Sequence, residues 1–210
     1  MKENNWFDPF YIQSHLSEEE SNIQKNVRDF CNNELKPRVV ESNRKNEFDL
    51  DLYPKFGSLG VLGQTVKTHG GSGTSNLAYG LVAYEFEKID SSYRSSISVQ
   101  SSLVIHPINE FGSQEQKDKY LPQLIKGEKI GCFGLTESEA GSDPASMKTS
   151  FKKTKDGYIL NGSKNWITNA PIADIFIIWA IEENKDHKSI KGFIIEKNTE
   201  GLNTSTIENK

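Results

Sequence analysis

The sequence predicts an α+β fold in which an all-helical bundle comes first and a β-barrel or sandwich-like sheet follows. Up to Gly127, apolar residues recur every three or four positions between helix-capping residues. Beyond it, apolar and polar residues alternate, and the Asp-Gly pair at 156–157 and the Asn-Gly pair at 161–162 are typical of tight turns between strands. We therefore expect a helical domain at residues 1–128 and a β domain at residues 129–210.

The first helices follow from caps and breakers. An aromatic arm occupies residues 1–16, and Ser17 and Glu20 then have the spacing of a capping box, which predicts that a helix begins there. Pro37 should end or kink this helix, because proline has no backbone N–H. A short helix is expected over residues 50–58, where glycines stop it.

Three further helices are predicted, over residues 76–89, 93–109 and 113–126. Ser75 is placed to cap the first of them, and Pro107 should bend the second near its end. Ser113 and Gln116 again have capping-box spacing and should open the third.

Alternation of apolar and polar residues predicts seven strands in the second part of the chain. They cover residues 129–136, 146–153, 158–161, 163–168, 174–181, 192–196 and 202–206, and residues 182–189 read as a charged loop. The last strand would leave an open sheet edge, so we expect this sheet to be incomplete within the 210 residues.

Composition argues against several classes of function. The net charge is −4 and no basic run is present, so no nucleic-acid partner is expected. No apolar run approaches the ~20 residues of a membrane span. Cys31 and Cys132 are far apart and have no clustered histidine, which predicts neither a disulfide nor a metal site and favours a reducing compartment. The glycine-rich run at 69–73 is followed by neither Gly-Lys-Ser nor Gly-Lys-Thr, so it is not a P-loop.

Residues 132–142 combine a buried strand with a loop of glycines and hydroxyls. Gly134 and Gly141 have no Cβ and so permit close approach of a flat or anionic ligand. The hydroxyls of this loop can both donate and accept hydrogen bonds: Thr136, Ser138 and Ser142. Taken alone, the pattern fits a ligand loop or an ordinary strand and turn.

This run and a later one together resemble the flavin-binding signature of the acyl-CoA dehydrogenases. The first reads Phe-Gly-Leu-Thr-Glu-Ser-Glu-Ala-Gly-Ser-Asp at 133–143, the second reads Trp-Ile-Thr at 166–168, and the likeness extends from about Phe7 almost to the C-terminus. The resemblance implies that FAD is the cofactor. It implies contacts with FAD from Phe133, Gly134, Leu135, Thr136, Glu137, Ser138, Glu139, Ala140, Gly141, Ser142, Trp166, Ile167 and Thr168.

Within that family the expected roles can be carried over residue by residue. Thr136 would bond the polar edge of the flavin ring, Trp166 would cover one face, and Thr168 would lie close to the reacting N5. Ser142 would contact either the phosphate region of the cofactor or the thioester chain of the substrate, and both assignments stay open.

Tyr93-Arg94-Ser95 resembles the members of the family that act on glutaryl-CoA. The resemblance implies that Arg94 and Ser95 meet the distal carboxylate of the substrate and that Glu87 orients Arg94. From spacing alone, Arg94 could instead be a solvated side chain paired with Asp90, one helical turn earlier.

The resemblance implies FAD-dependent oxidative decarboxylation of glutaryl-CoA to crotonyl-CoA and carbon dioxide, a step of lysine and tryptophan degradation. It further implies electron-transferring flavoprotein as the electron acceptor, a homotetramer, and the mitochondrial matrix in a eukaryote or the cytoplasm in a bacterium. The family's catalytic glutamate belongs to a C-terminal helical domain with no counterpart here, so no catalytic residue is predicted and these 210 residues alone should be inactive. The alternatives are a dehydrogenase for another acyl group and a non-catalytic flavin-binding or interaction module.

Overall fold

In a computed structural model that describes residues 8–207, helices fill the chain up to Ile125 and strands follow from Gly131. The helices are α1 (Glu18–Phe30), α2 (Val39–Lys45), α3 (Leu52–Leu59), α4 (Asn76–Glu87), α5 (Ser91–Ser98), α6 (His106–Phe111) and α7 (Gln114–Ile125). The strands are β1 (Gly131–Gly134), β2 (Ser150–Lys153), β3 (Tyr158–Asn161), β4 (Ile175–Glu182) and β5 (Lys191–Glu196). The predicted α+β class, with a helical part followed by a sheet, is confirmed.

The helix starts lie where the caps predict them. Ser17 Oγ accepts a hydrogen bond from the backbone N–H of Glu20, whose side chain in turn accepts from the Ser17 backbone. Ser113 and Gln116 form the same reciprocal pair at the start of α7. Ser75 caps α4 by accepting from the backbone of Ala78. These caps satisfy N–H groups that the first turn of a helix leaves unpaired.

Two π-helical segments lengthen the helices, and each precedes a proline by two residues. Residues Cys31–Leu35 extend α1 before Pro37, and Val99–Ile105 joins α5 to α6 before Pro107. A proline removes one backbone N–H from the helical ladder, and a wider turn lets the helix accommodate that loss.

Some predicted elements are wrong. Residues 163–168 form no strand, because Trp166 has a φ of 61°, which a strand cannot contain. Asn169, which follows the segment directly, also has a positive φ, of 70°. Residues 202–206 have no strand ladder either. Helix α2 was missed, since no capping residue precedes it. In the predicted aromatic arm, residues 1–7 lie outside the described range, and Phe10 is 80% exposed.

The five strands form one mixed sheet around β4. Strand β5 runs antiparallel along one edge of β4. On the other edge, β1 pairs in parallel with residues 175–178, and β2 pairs in parallel with residues 181–182 and carries β3 outside it. The chain therefore leaves the sheet after β1 and rejoins the same edge at β2. The loop between these strands, residues 135–149, projects from that edge.

The side chain of Gln100 fastens the helical part to the sheet. It is fully buried, accepts from the backbone N–H of Gly131 at 2.8 Å, and donates to the carbonyls of Leu124 and Lys129, both at 2.9 Å. Gly131 is needed at this seam, because a Cβ there would lie 2.5 Å from Val104 Cγ1. The start of β1 is thus fixed against the π-helical segment that follows α5.

Candidate functional site

The two sequence motifs lie side by side. The backbone N–H of Asn165 donates to the carbonyl of Thr136 at 2.9 Å, and the side-chain amide of Asn165 donates to Ser138 Oγ at 2.8 Å. Lys164 Nζ donates to the carbonyl of Leu135, also at 2.9 Å. Segments 135–138 and 164–166, separated by more than twenty residues in sequence, therefore form one surface. We call residues 133–142 and 164–169 the loop cluster.

A buried ion pair supports the loop cluster from below. Lys164 Nζ lies 2.7 Å from Glu137 Oε1, and both side chains are almost fully buried. Glu137 also accepts from the backbone N–H groups of Lys148 at 2.7 Å and Thr149 at 3.0 Å. Burial by itself raises the pKa of Glu137, but these hydrogen bonds more than offset it and lower the pKa to about 2. The Glu137 carboxylate thus ties the start of the loop to β2, and its predicted contact with FAD stays a prediction.

The outer part of the loop cluster is exposed. Ser138, Glu139, Gly141 and Ser142 face solvent, whereas Ala140 is buried and closes a small turn through reciprocal backbone hydrogen bonds with Glu137. Glu139 forms an ion pair with Lys148 on the surface. Two of the predicted hydroxyls, on Ser138 and Ser142, are therefore accessible to a ligand.

The inner part of the loop cluster is more enclosed. Gly134 is buried, and the side chains of Phe133, Leu135 and Thr136 are half-buried. The ring of Phe133 packs edge-on against Trp179, with the ring centroids 6.0 Å apart. These residues form the wall from which the exposed loop extends.

Trp166 has a left-handed backbone conformation with φ of 61°, and it is 65% exposed. A bulky residue at positive φ carries strain, and such strain concentrates at functional sites. The neighbouring Ile167 is half-buried and packs against the cluster around Cys132, whereas Thr168 is exposed. Asn169 donates to the carbonyl of Gly131 at 3.2 Å and anchors the far end of the segment. A large exposed ring beside a loop of glycines and hydroxyls is suited to holding a planar ligand.

A second cluster lies at the junction of α4 and α5. Arg94 Nε donates to Glu87 Oε2 at 2.7 Å, and Ser91 Oγ donates to Glu87 Oε1 at 2.6 Å. Both bonds lower the pKa of Glu87, the one from Ser91 most. Arg94 does not pair with the Asp90 carboxylate, which accepts hydrogen bonds from Ser92 instead. Glu87 and Arg94 are thus in direct contact, and the role of Glu87 in orienting Arg94 toward a substrate stays a prediction.

Sequence reasoning missed Ser91, although it stands four residues after Glu87, the spacing at which helical side chains meet. Arg94 is 38% exposed at its side chain, and Ser95 is half-buried. The π-helical segment that follows α5 carries Gln100, which holds β1, so the chain beyond Arg94 links the two clusters.

Residues 8–207 contain no candidate metal centre and no candidate membrane span. No group of three or more His, Cys, Asp or Glu side chains is arranged there to hold a metal ion. Within the same range, no helix has both the length and the apolar character that a bilayer crossing requires.

The chain matches two family models in succession. Residues 17–128 match the N-terminal domain of acyl-CoA dehydrogenase, and residues 132–210 match its middle domain. The short-chain-specific acyl-CoA dehydrogenase of Clostridium acetobutylicum is 38% identical over 198 residues, which are 93% of this chain and 52% of that protein.

Solved structures agree with this assignment. A glutaryl-CoA dehydrogenase from Mycobacterium smegmatis in complex with FADH2 aligns with a TM-score of 0.92 and 40% identity, over 96% of this chain and 51% of that one. Butyryl-CoA dehydrogenase from Megasphaera elsdenii aligns with a TM-score of 0.81 and 38% identity, over 89% of this chain and 50% of that one. The chain spans about half the length of these relatives. Because both family models match in order and a relative is 38% identical over 93% of the chain, this chain belongs to the acyl-CoA dehydrogenase family.

Proposed function

We propose that this chain forms the FAD-binding and acyl-CoA-binding part of a dehydrogenase that acts on glutaryl-CoA. The observation that carries the proposal is the hydrogen bond from Arg94 Nε to Glu87 Oε2. It fixes the guanidinium by one edge, and no hydrogen bond joins the two Nη groups to another described residue. Those Nη groups can donate two parallel hydrogen bonds to a carboxylate, which is the geometry arginine provides best.

The loop cluster fits the isoalloxazine of FAD. The side chain of Trp166 is 65% exposed, Thr168 follows it in the same segment, and Thr136 lies in the neighbouring segment, where its carbonyl accepts from Asn165. FAD bound there would accept the hydride that leaves the acyl chain. The residues of this chain would orient the ring and donate hydrogen bonds to its polar edge. The resemblance to a structure that contains FADH2 supports this assignment.

Arg94 would distinguish the acyl groups. A charge-assisted hydrogen bond contributes about 1.5–3 kcal/mol, or one to two powers of ten in affinity. A plain butyryl chain has no group that could use it, and burying its methyl end against the Arg94–Glu87 pair would be unfavourable. Sequence identity does not separate the two specificities, since relatives of both kinds lie near 40%. A dehydrogenase for an uncharged acyl group is therefore the second candidate.

The complete reaction needs more than the described residues. No carboxylate in the loop cluster is free to take a proton from the acyl chain, because Glu137 is paired with Lys164 and Glu139 with Lys148. We propose that the base comes from the part of the family's length that this chain does not span, or from a second chain. Electron-transferring flavoprotein as the acceptor and a homotetramer as the assembly belong to the same proposal.

The test measures FAD retention and acyl-CoA affinity. The purified chain should be yellow and should bind glutaryl-CoA at least about tenfold more tightly than butyryl-CoA by calorimetry. Arg94→Leu should abolish that preference without changing the flavin spectrum. A colourless protein that binds neither thioester would favour a non-catalytic interaction module. A yellow protein that prefers butyryl-CoA would favour the second candidate.

A further inference from the structure

Asn161 and Gly162 form the Asn-Gly pair that predicts a tight turn, yet the structure has no turn there. Asn161 is the last residue of β3, and residues 162–165 continue without regular secondary structure toward Trp166. Asn161 is also the only asparagine of the chain that a glycine follows. The glycine and its pairing with asparagine therefore need a reason other than a turn.

Close packing against Thr149 explains the glycine. The φ of Gly162 is 150°, which residues with a side chain rarely adopt, and a Cβ there would lie 2.5 Å from Thr149 Oγ1. Thr149 is buried, and its hydroxyl donates to the carbonyl of Ser163 at 3.3 Å. Its backbone N–H donates to Glu137 Oε1 at 3.0 Å. The backbone at 162–163 thus rests on the same residue that holds the loop after β1.

The side chain of Asn161 is open to attack by the backbone nitrogen that follows it. Asn161 and Gly162 are both exposed, and neither the Asn161 side-chain amide nor the Gly162 N–H has a hydrogen-bond partner among the described residues. Glycine has no side chain that would shield its nitrogen. Strand β3 lies at the end of the strand order, and local opening costs least at the ends of elements. Asn161 can therefore leave the ladder and bring its side chain onto the Gly162 nitrogen.

We propose that Asn161 is a site of spontaneous deamidation and that its isoaspartate product loosens the segment that carries Lys164. The Gly162 nitrogen gives up its proton and bonds to Asn161 Cγ, and the side-chain NH₂ leaves with that proton as ammonia. Water then opens the resulting five-membered succinimide. Opening at Cγ gives aspartate, whereas opening at the backbone carbonyl gives isoaspartate. In isoaspartate the chain to Gly162 passes through Cβ and Cγ and is longer by one CH₂ group.

The extra CH₂ group falls between two contacts whose spacing is fixed. Asn161 pairs with Ser150 in the ladder of β2 and β3, and Gly162 packs on Thr149, the residue before Ser150. A longer backbone between 161 and 162 cannot keep both matches. Its displacement would pass to Lys164, two residues further on, which forms the buried ion pair of the loop cluster. Aspartate keeps the backbone length and changes only an exposed side chain, so it should leave these contacts in place.

The experiment ages the purified chain in mildly alkaline buffer and maps its peptides by mass spectrometry. We expect the mass increase of an amide-to-acid change at Asn161, in two forms that chromatography separates, and a rate that rises with pH because the attacking nitrogen must lose its proton. Asn184 is the control within the same chain. It is also exposed, but Lys185 follows it, and the Lys185 backbone N–H donates to the carbonyl of Glu182 at 3.0 Å. If Asn161 stays an amide, or reacts no faster than Asn184, the proposal is overturned.

Thermal unfolding of the separated forms tests the structural consequence. The isoaspartate form should unfold about 2–4 °C below the fresh protein, the shift expected when a chain of this length loses roughly one hydrogen bond. Asn161→Asp has the new charge on an unaltered backbone and should unfold as the fresh protein does. Asn161→Gln should not age, because its longer side chain closes the ring far more slowly. An isoaspartate form as stable as Asn161→Asp would overturn the link to Thr149 and Lys164.

Discussion

Lys164 Nζ and Glu137 Oε1 are 2.7 Å apart, in an ion pair whose side chains are only 7% and 8% exposed. Lys164 belongs to the segment that carries Trp166, and Glu137 belongs to the loop after β1. The pair therefore joins the two motifs in the interior, while Thr136 and Asn165 join them through the backbone. Several properties of the loop cluster should depend on it.

Removal of one partner should destabilise the protein. In Lys164→Met the Glu137 carboxylate would be left buried without its cation, and we expect a loss of about 3 kcal/mol in the free energy of unfolding. Urea denaturation measures this loss. Lys148→Met is the control, because its ion pair with Glu139 is mostly exposed and should contribute less than about 1 kcal/mol. Equal losses in the two variants would contradict the structural role of the buried pair.

The same ion pair should make the free energy of unfolding depend on pH. The pKa of Glu137 in the folded chain is about 2, below its ordinary value of 4.5. A lowered pKa contributes stability that is fully present above pH 4.5 and is lost as the pH falls toward 2, here roughly 3 kcal/mol. Thermal unfolding between pH 6 and pH 2 tests this. Glu137→Gln, which cannot ionise, should flatten the profile over that window, and an unchanged slope would contradict the assignment.

Trp166 should lower the stability of the fold through its backbone strain while its ring contributes to FAD binding. Because its φ is 61°, glycine at this position should be more stable than alanine by about 1 kcal/mol, since alanine retains the left-handed strain and glycine does not. Both variants should lose FAD, because both remove the ring proposed to cover it. Urea denaturation gives the first quantity and the visible spectrum gives the second. A variant without the ring that still retains FAD would place the flavin elsewhere.

Ser91 should act on specificity through Glu87. Its hydroxyl donates to Glu87 Oε1 while Arg94 occupies Oε2, so Ser91→Ala would free the carboxylate to rotate and carry Arg94 with it. We expect affinity for glutaryl-CoA to fall several-fold by calorimetry, with affinity for butyryl-CoA unchanged. Ser92→Ala is the matched control, because Ser92 bonds Asp90 instead. Equal effects on both thioesters would reduce Ser91 to a structural role.

The parts that the sequence predicted well are those where the chemistry is local. The helix starts at Ser17 and Ser113 follow from a hydroxyl and a Glu or Gln three residues apart, and such pairs close on themselves. Residues 133–143 and 166–168 were singled out by their resemblance to the signature of a family, and their contacts with FAD stay a prediction. Residues 163–168 alternate like a strand, yet Lys164 is drawn into the interior by Glu137, a contact that local periodicity does not contain.

The sequence by itself determined that helices come before strands and where the capped helices begin. Both depend on residues that are only a few positions apart in the chain. Only the tertiary structure decided that Lys164 meets Glu137, that Trp166 turns outward at positive φ, and that Ser91 shares Glu87 with Arg94. The physical reason is distance along the chain. Burial and charge compensation act between residues that only the packed fold brings together, and they outweigh the local preferences from which a sequence is interpreted.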